Sequence, residues 1–407
     1  MKIITKNEVN ILIISHYFWP ENFKINELAD YLSNKNKVTV LTGFPSYPKK
    51  ELFKNFKNYN SKKIKNIEII RIPVLPRGNT RFSIFLNYLS YLFSLSTLGI
   101  IKLFNRRFDS ILVFGTSPPT VMIPAILISK IKKIKIIFWV LDLWPETLIS
   151  MNVVKNKYLV KLLRIYISYI YNFSHLIFAQ SQSFIRQVGK YCNNKKKIIY
   201  FPTWADNNDG NKKNIKKFNF KKNFFYITFT GNIGEAQDFE NILKCASIIK
   251  SNKKIKWLIV GDGSKYVWLK NQIKKRKLDF NFILTGNLIK DQIPYILKNS
   301  DCLLVTLKKG KIDKCTVPGK LSNYMMSKKP ILGMIDGETY DIIRISKCGL
   351  ICKSGEYKKL SSNIKKILTF SQSKKLTLGK NGYKFAKKNF DRIKQLKKAE
   401  FFLKKNI

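Results

Sequence analysis

The sequence predicts an α/β protein made of two doubly wound parallel-sheet domains with a deep cleft between them. Three observations lead there. At 407 residues the chain is too long for one compact core. Short, nearly continuous apolar runs alternate with longer amphipathic segments in both halves, and that alternation builds parallel sheets covered by helices. A polar Asn/Lys-rich stretch at 206–222, poor in apolar residues, divides the halves and reads as a linker.

In the first half, 1–205, the strand-like runs are 10–15, 37–42, 67–73, 110–115, 135–141, 175–179 and 197–201. They are short and β-branched, as strands buried on both faces are. Helical patterns such as 25–33 and 157–172 lie between them. The stretch 83–101 carries no charge and reaches the length needed to cross a bilayer. It contains Asn87 and several serines, and Arg77, Arg81, Lys102, Arg106 and Arg107 flank it. Three readings stand: a spanning helix, an ordinary buried helix, and a helix lying on the domain with one face toward lipid headgroups. Basic flanks and Phe/Leu/Tyr faces are what interfacial binding uses, which makes 77–107 a candidate membrane-facing segment.

The second half, 223–385, repeats the alternation. Strands are expected at 226–230, 256–260, 280–284, 301–306 and 330–334, with a short one at Leu350. Helices are expected at 239–250, 266–276, 290–298 and 320–327. The basic pattern 373–405 reads as a helix, and 386–407 is expected to pack back across the domain pair.

Composition narrows the function classes. The formal net charge is +51, enough to draw the protein toward polyanions. Most of the basic residues are Lys, scattered from end to end among Asn and Ile. They read as solvated faces of an AT-rich coding sequence rather than a nucleic-acid site, which needs clustered Arg and stacking aromatics. The expected partner surface is an acidic membrane. The six cysteines show no paired metal-ligand spacing, and their sparse use suits a reducing compartment. Residues 1–10 carry charge before a short apolar run, unlike a secretory signal. The expected location is cytoplasmic, peripheral to the inner membrane.

Chemistry is expected at strand ends. Phe229-Thr230-Gly231-Asn232-Ile233-Gly234-Glu235-Ala236-Gln237 follows a strand and precedes a helix. Glycines let backbone pass close to a ligand, and a helix N-terminus offers N–H groups and positive dipole to an anion. A diphosphate site and a plain tight turn are both open there. Thr316-Val317-Pro318-Gly319-Lys320 is a second such junction. A lysine in a first helical turn opposes the dipole, which a neighbouring phosphate would explain; a surface lysine is the alternative. Gly286-Asn287 ends another strand and is a candidate for base or ribose contact. In the first half, Trp139 to Glu146 closes a buried strand with Asp142 and Glu146, candidates for sugar hydroxyl contacts or acid/base work, although Glu146 also suits a helix cap. His16 ends the first strand. No Asp-x-Asp pair occurs, so no metal cofactor is expected.

These residues together resemble family 4 of the retaining GT-B glycosyltransferases, over nearly the whole chain. The likeness is strongest to bacterial O-antigen, capsule and colanic-acid enzymes of the L-fucosamine transferase type. It rests on Ser15-His16-Tyr17-Phe18-Trp19-Pro20-Glu21-Asn22-Phe23, Leu41-Thr42-Gly43-Phe44-Pro45-Ser46-Tyr47-Pro48, Asp142-Leu143-Trp144-Pro145-Glu146, Gly231 to Gln237, and Pro318-Gly319-Lys320-Leu321.

The resemblance implies two Rossmann-like domains, with a UDP-linked nucleotide-sugar donor in the second and the acceptor in the first. The implied acceptor is a polyprenyl-diphosphate-linked saccharide. Transfer is with retention and without metal, because helix N-termini and basic side chains stabilise the departing diphosphate. On this footing the catalytic candidates are Asp142, Glu146 and Lys320. The donor candidates are Gly231, Asn232, Gly234, Glu235, Gln237, Gly286, Asn287, Pro318 and Asn323. The acceptor or membrane candidates are His16, Asn22, Arg77, Arg81, Arg106 and Arg107. Two departures matter. Family members carry two glutamates where this chain has Cys315 and Asn323, so ribose and sugar contacts are made differently here. The family's His-Asp strand end is Leu141-Asp142, which suits a 6-deoxy donor such as UDP-L-fucosamine. A UDP-HexNAc 2-epimerase of the same architecture is the alternative activity.

Overall fold

A computed structural model describes residues 8–47, 63–64, 66–78, 80–150, 152–206, 218–310 and 313–405. The chain divides into two compact units, Met1–Phe201 with Ile393–Ile407, and Pro202–Arg392. These junctions, at 201/202 and 392/393, stand beside expected boundaries at 205 and 386. Residues 1–7, Pro48, the 207–217 part of the expected linker and the side chain of Arg81 lie outside the description. The rest of that linker differs from expectation. Phe218 and Phe220 pack on Tyr226, with ring centroids 6.2 and 4.8 Å away, so three aromatic rings tie this stretch to the second unit.

The first unit holds β1 (Asn10–Ser15), β2 (Lys37–Gly43), β3 (Lys63–Ile64), β4 (Ile67–Ile72), β5 (Ser110–Gly115), β6 (Ile136–Val140), β7 (Leu176–Ala179) and β8 (Ile198–Tyr200). They form one sheet in the order β3-β4-β2-β1-β5-β6-β7-β8. All neighbours are parallel except the two-residue β3, too short for any sequence pattern, which runs antiparallel to β4. Ile13 pairs with Val40 on one side and Leu112 on the other. Every residue of β5 and β6 is buried, as strands covered on both faces must be.

The uncharged stretch becomes one continuous helix from Arg81 to Leu103, with a five-residue π segment at Leu95–Gly99. Thr80 caps it, accepting from the Ser83 N–H at 3.1 Å. Its length and composition would suffice to cross a membrane. It serves instead as the connection from β4 to β5, with Asn87, Tyr91, Leu95, Gly99 and Leu103 buried at four-residue spacing. The outer face exposes Phe82, Phe85, Phe93 and Ile101. The helix therefore lies on the unit with one face out. Helix Met122–Lys132 packs beside the π segment, and its Lys130 ammonium sits 5.8 Å from the Phe173 ring at the end of helix Lys157–Phe173. These neighbours also turn apolar side chains outward, among them Ile131, Leu162 and Ile165.

The second unit holds β9 (Phe225–Thr230), β10 (Ile255–Val260), β11 (Phe282–Gly286), β12 (Cys302–Thr306), β13 (Ile331–Met334) and β14 (Gly349–Cys352). All are parallel, in the order β11-β10-β9-β12-β13-β14. β11 begins two residues later than its apolar pattern predicts. The Asn281 and Phe282 N–H groups turn back to the Leu278 carbonyl at 2.8 and 3.1 Å, leaving Phe280 outside the ladder. The basic C-terminal pattern also differs, forming two helices, Gln372–Asn389 and Arg392–Lys405. The break at Phe390 is fixed by its buried ring and by its carbonyl, which accepts the Ala205 N–H at 3.2 Å.

In each sheet the order runs outward in both directions from the first strand, β1 or β9. Crossovers switch faces there, which opens a crevice at the carboxyl end of that strand, where such sheets bind ligands.

Candidate active site

In the second unit the crevice falls at the loop after β9. Gly231 adopts φ 127°, and its N–H donates to the Val260 carbonyl at 2.9 Å. The loop after β10 presses against it so closely that a Cβ on Gly261 would meet the Gly231 carbonyl oxygen at 2.0 Å. The Ile233 N–H donates to the Asp262 carbonyl at 2.9 Å, and the Gly234 N–H to Gln237 Oε1 at 3.1 Å. The expected anion cradle is therefore thinner than the glycine pattern suggests. Three of its N–H groups point into the protein, and the long helix starts only at Phe239, after Asp238 in the left-handed region. Gln237 is a loop clamp. Glu235 is exposed and held by Lys265 at 2.7 Å and by Lys308, which keep its carboxyl down at about 2. Asn232 is exposed beside them.

Lys320 supplies what the N–H groups do not. It opens the helix Lys320–Met326, and its Nζ lies 3.5 Å from the centroid of the Phe229 ring. A Cβ on Gly231 would come within 3.3 Å of that Nζ. Part of the stem reaches solvent, but the ammonium is shut away from water and makes no hydrogen bond. Burial lowers its pKa from the usual 10.5 to about 7. An unpartnered buried cation aimed at a strand-end loop is poised for an anion. Tyr324, one turn on, fixes the helix to β9 by accepting the Thr230 N–H at 2.7 Å.

The remaining donor candidates line the same carboxyl edge. Gly286, at φ 68°, ends β11 and accepts the Gly261 N–H at 2.9 Å; Asn287 next to it is exposed. Pro318 accepts the Leu321 N–H at 2.9 Å, starting the helix. Asn323 is turned away from the role expected of it. Its Oδ1 accepts the Asp206 N–H at 2.7 Å, and its Nδ2 donates to Asp206 Oδ2 at 2.6 Å. Lys290 approaches Asp206 Oδ1 at 3.4 Å.

In the first unit the crevice at β1 is an aromatic socket. His16 Nε2 lies 3.2 Å from Asn87 Oδ1, and the ring packs 4.1 Å from Tyr91. Burial drives its pKa down to about 3, so it is a neutral structural imidazole. Arg77 donates to Tyr17 Oη at 2.9 Å and Tyr88 Oη at 2.8 Å, so it belongs to this socket rather than to a loose flank. Asn22 is exposed at its rim, with Trp19, Phe44 and Tyr47. Buried Glu21 ties the loops after β1 and β2 together. Its Oε1 accepts the Ser46 and Tyr47 N–H groups at 2.9 and 2.7 Å, and its Oε2 accepts the Phe18 N–H at 3.2 Å.

The expected acceptor and membrane set does not stay together. Arg106, paired with Glu68, and exposed Arg107 precede β5 and line a cavity of about 750 Å³ at the amino ends of the strands, the opposite edge from His16. The separation follows from the helix, which crosses the full sheet between the two groups of arginines. Asp142 and Glu146 follow β6, where both are engaged within the unit. Asp142 Oδ1 accepts Thr147 Oγ1 at 2.6 Å and its Oδ2 accepts Trp144 Nε1 at 3.3 Å, while Glu146 accepts the Tyr191 hydroxyl. The three catalytic candidates are thus divided, two carboxylates in the first unit and Lys320 in the second. Among the described residues, no group of three or more His, Cys, Asp or Glu gathers as metal ligands would.

Sequence reasoning missed Glu21, Tyr324 and Asp206. Glu21 stood inside a quoted motif, but nothing in its spacing revealed three backbone partners. Asp206 carried no signal, sitting in a polar stretch.

Comparison with known proteins agrees with this geometry. Residues 210–385 match the family model "Glycosyl transferases group 1". WbjE of Pseudomonas aeruginosa, which bears the name of a glycosyltransferase, is 26% identical over 249 residues, covering 58% of this chain and 60% of that protein. WcaI of Escherichia coli K12, named for a glycosyl transferase of colanic acid biosynthesis, is 30% identical over 139 residues, 31% of this chain and 32% of its own length. The chain thus spans less than two thirds of either relative. The crystal structure of Anabaena Alr3699/HepE with UDP superposes with a TM-score of 0.71 at 14% identity, over 97% of this chain and 99% of that one. Residues 210–385 thus match the group 1 glycosyl transferases, on a chain with the two-sheet fold of GT-B glycosyltransferase structures.

Proposed function

We propose that the protein transfers a sugar from a nucleotide-sugar, with UDP as the nucleotide, to a polyprenyl-diphosphate-linked saccharide in bacterial surface-polysaccharide synthesis. The observation that carries this is the Lys320 ammonium, buried without a hydrogen bond beside Gly231 at the β9 crevice. Departure of a nucleoside diphosphate builds negative charge, and a preorganised cation in a water-poor site stabilises it without a metal ion. The family match of this unit and the UDP bound to the HepE structure support the nucleotide reading. Retention of configuration, membership of family 4 and independence of metal are parts of the proposal.

The acceptor is assigned to the first unit, where Trp19, Phe44 and Tyr47 rim the socket and can stack on sugar rings. Outward apolar residues of helices 81–103, 122–132 and 157–173, together with Lys130, Lys161 and Arg164, suit an anionic membrane surface. The proposed location is accordingly the cytoplasmic face of the inner membrane.

Incubation with a panel of UDP- and GDP-sugars and a short-chain polyprenyl-diphosphate-GlcNAc, in EDTA, tests the reading by lipid mass. A gain of one hexose or deoxyhexosamine is the expected outcome. An unchanged lipid with epimerised UDP-HexNAc would replace the transferase by the epimerase, which no comparison favours. The finer proposal is an N-acetylated 6-deoxy donor such as UDP-L-FucNAc, because apolar Leu141 stands at the end of β6 in the position of a polar donor contact. A Leu141→His variant is expected to gain use of UDP-GlcNAc, and refusal of every 6-deoxy donor by the native protein would end this part.

A further inference from the structure

Resting on the nucleotide-sugar reading above, we propose that Asp206 is the acidic group of the nucleotide site and holds the ribose hydroxyls of the donor. A carboxylate is the natural partner of a ribose diol, since its two oxygens accept about four hydrogen bonds and donate none. The positions at which the family pattern sets glutamates, 315 and 323, hold Cys315 and Asn323. Asn323 lies three residues beyond Lys320, hence on the same helix face about 5–6 Å away at Cβ. Its amide is spent on Asp206 from both ends, at 2.7 and 2.6 Å. The effect is to deliver a carboxylate from a different stretch of chain to the place a glutamate at 323 would reach.

Two further placements favour ribose over the other parts of the donor. Lys290, which follows the Gly286-Asn287 loop after β11, approaches the second oxygen of Asp206 at 3.4 Å. The carboxylate therefore stands between the Lys320 helix, where the diphosphate is assigned, and the strand-end loop suited to the base. Ribose connects those two parts. Of the acidic groups on this side of the unit, Glu235 is held by Lys265 and Lys308 and Asp238 by the Asn241 amide at 2.9 Å, while Asp206 is itself held by the Asn323 amide and Lys290. The Asp206 side chain keeps 27% of its surface exposed. The pair also accounts for the missing glutamate. A carboxylate at 323 would face that of Asp206 at hydrogen-bond distance and repel it, so Asn323 with Asp206 and Glu at 323 are mutually exclusive arrangements.

The test is calorimetric binding of UDP and of 2′,3′-dideoxy-UDP to the full chain. The native protein is expected to prefer UDP by roughly tenfold or more, the size of a lost hydrogen bond to a charged group. Asp206→Asn is expected to erase that preference while leaving dideoxy-UDP affinity and thermal midpoint near native. Asn323→Glu alone should weaken UDP, and the exchange Asn323→Glu with Asp206→Asn should restore the preference; this double variant also serves if a single one does not fold. A native-like preference in Asp206→Asn, or tight UDP binding by the native protein without any preference, would overturn the assignment. Binding of no nucleotide at all by the native protein would instead remove the nucleotide-sugar reading, and this assignment with it.

Discussion

At the scale of single residues, Lys320 sets opposite demands on stability and binding. Its pKa falls from 10.5 in the usual case to about 7 in the folded protein. Between those values the unfolded chain binds a proton that the folded chain does not, so stability rises with pH across roughly pH 7 to 10.5 and then levels off. Nucleotide binding runs the other way. A diphosphate recruits the proton, so UDP affinity is expected to fall by up to about tenfold per pH unit above pH 7. Titration calorimetry of native protein against Lys320→Met checks this. The variant should show a flat profile for this group, weaker binding at pH 7, and a gain of about 1–3 kcal/mol in stability from losing a buried unpartnered amine. Loss of both stability and binding would mean that Lys320 is structural. The lysine was legible in the sequence because a cation at a helix start runs against the dipole. The Phe229 ring beneath it was not, since it lies 91 positions away and meets the lysine only across a sheet edge.

At the scale of elements, the loops after β1 and β2 are one device because Glu21 accepts backbone N–H groups from both. Glu21→Ala leaves three buried or half-buried N–H groups without this partner and should cost about 1–3 kcal/mol in the first unit. Denaturant unfolding should show the first unit's transition moved and the second unit's unchanged; coincident shifts would contradict independent units. Strands were read well wherever burial on both faces makes apolar runs continuous, as in β5, β9 and β12. The misses have physical causes. β3 is shorter than any period, and Phe280 mimics a strand start although a turn at Leu278 holds it out of the ladder. Phe390 breaks an otherwise unbroken basic helical pattern because its own burial outweighs local propensity.

At the scale of the whole molecule, the charge of +51 and the outward apolar side chains of the first unit both bear on the proposed membrane partner. Flotation with vesicles should show binding to anionic lipid that weakens at high salt, and little binding to neutral lipid. Replacing Phe85, Phe93, Leu162 and Ile165 by Ser should reduce binding at least tenfold with unchanged UDP affinity, since each is an exposed apolar group. Equal binding to neutral and anionic vesicles would refute the electrostatic part. The sequence pointed to the first of these helices by its lack of charge. It gave no hint that helix Lys157–Phe173, with lysines and an arginine between its apolar positions, also turns apolar side chains outward.

The return of the chain to the first unit has a consequence for the order of synthesis. Glu400, on the helix Arg392–Lys405, accepts from the Tyr31 hydroxyl at 3.2 Å, and Lys398 donates to the Tyr200 carbonyl at 2.8 Å. Both partners are made some two hundred residues or more before that helix leaves the ribosome. The nascent first unit must therefore wait, one helix short, while the entire second unit emerges and can close its own core. The unit that begins the chain is the later of the two to be completed, and during that interval its unfinished surface is where a chaperone would find the young protein.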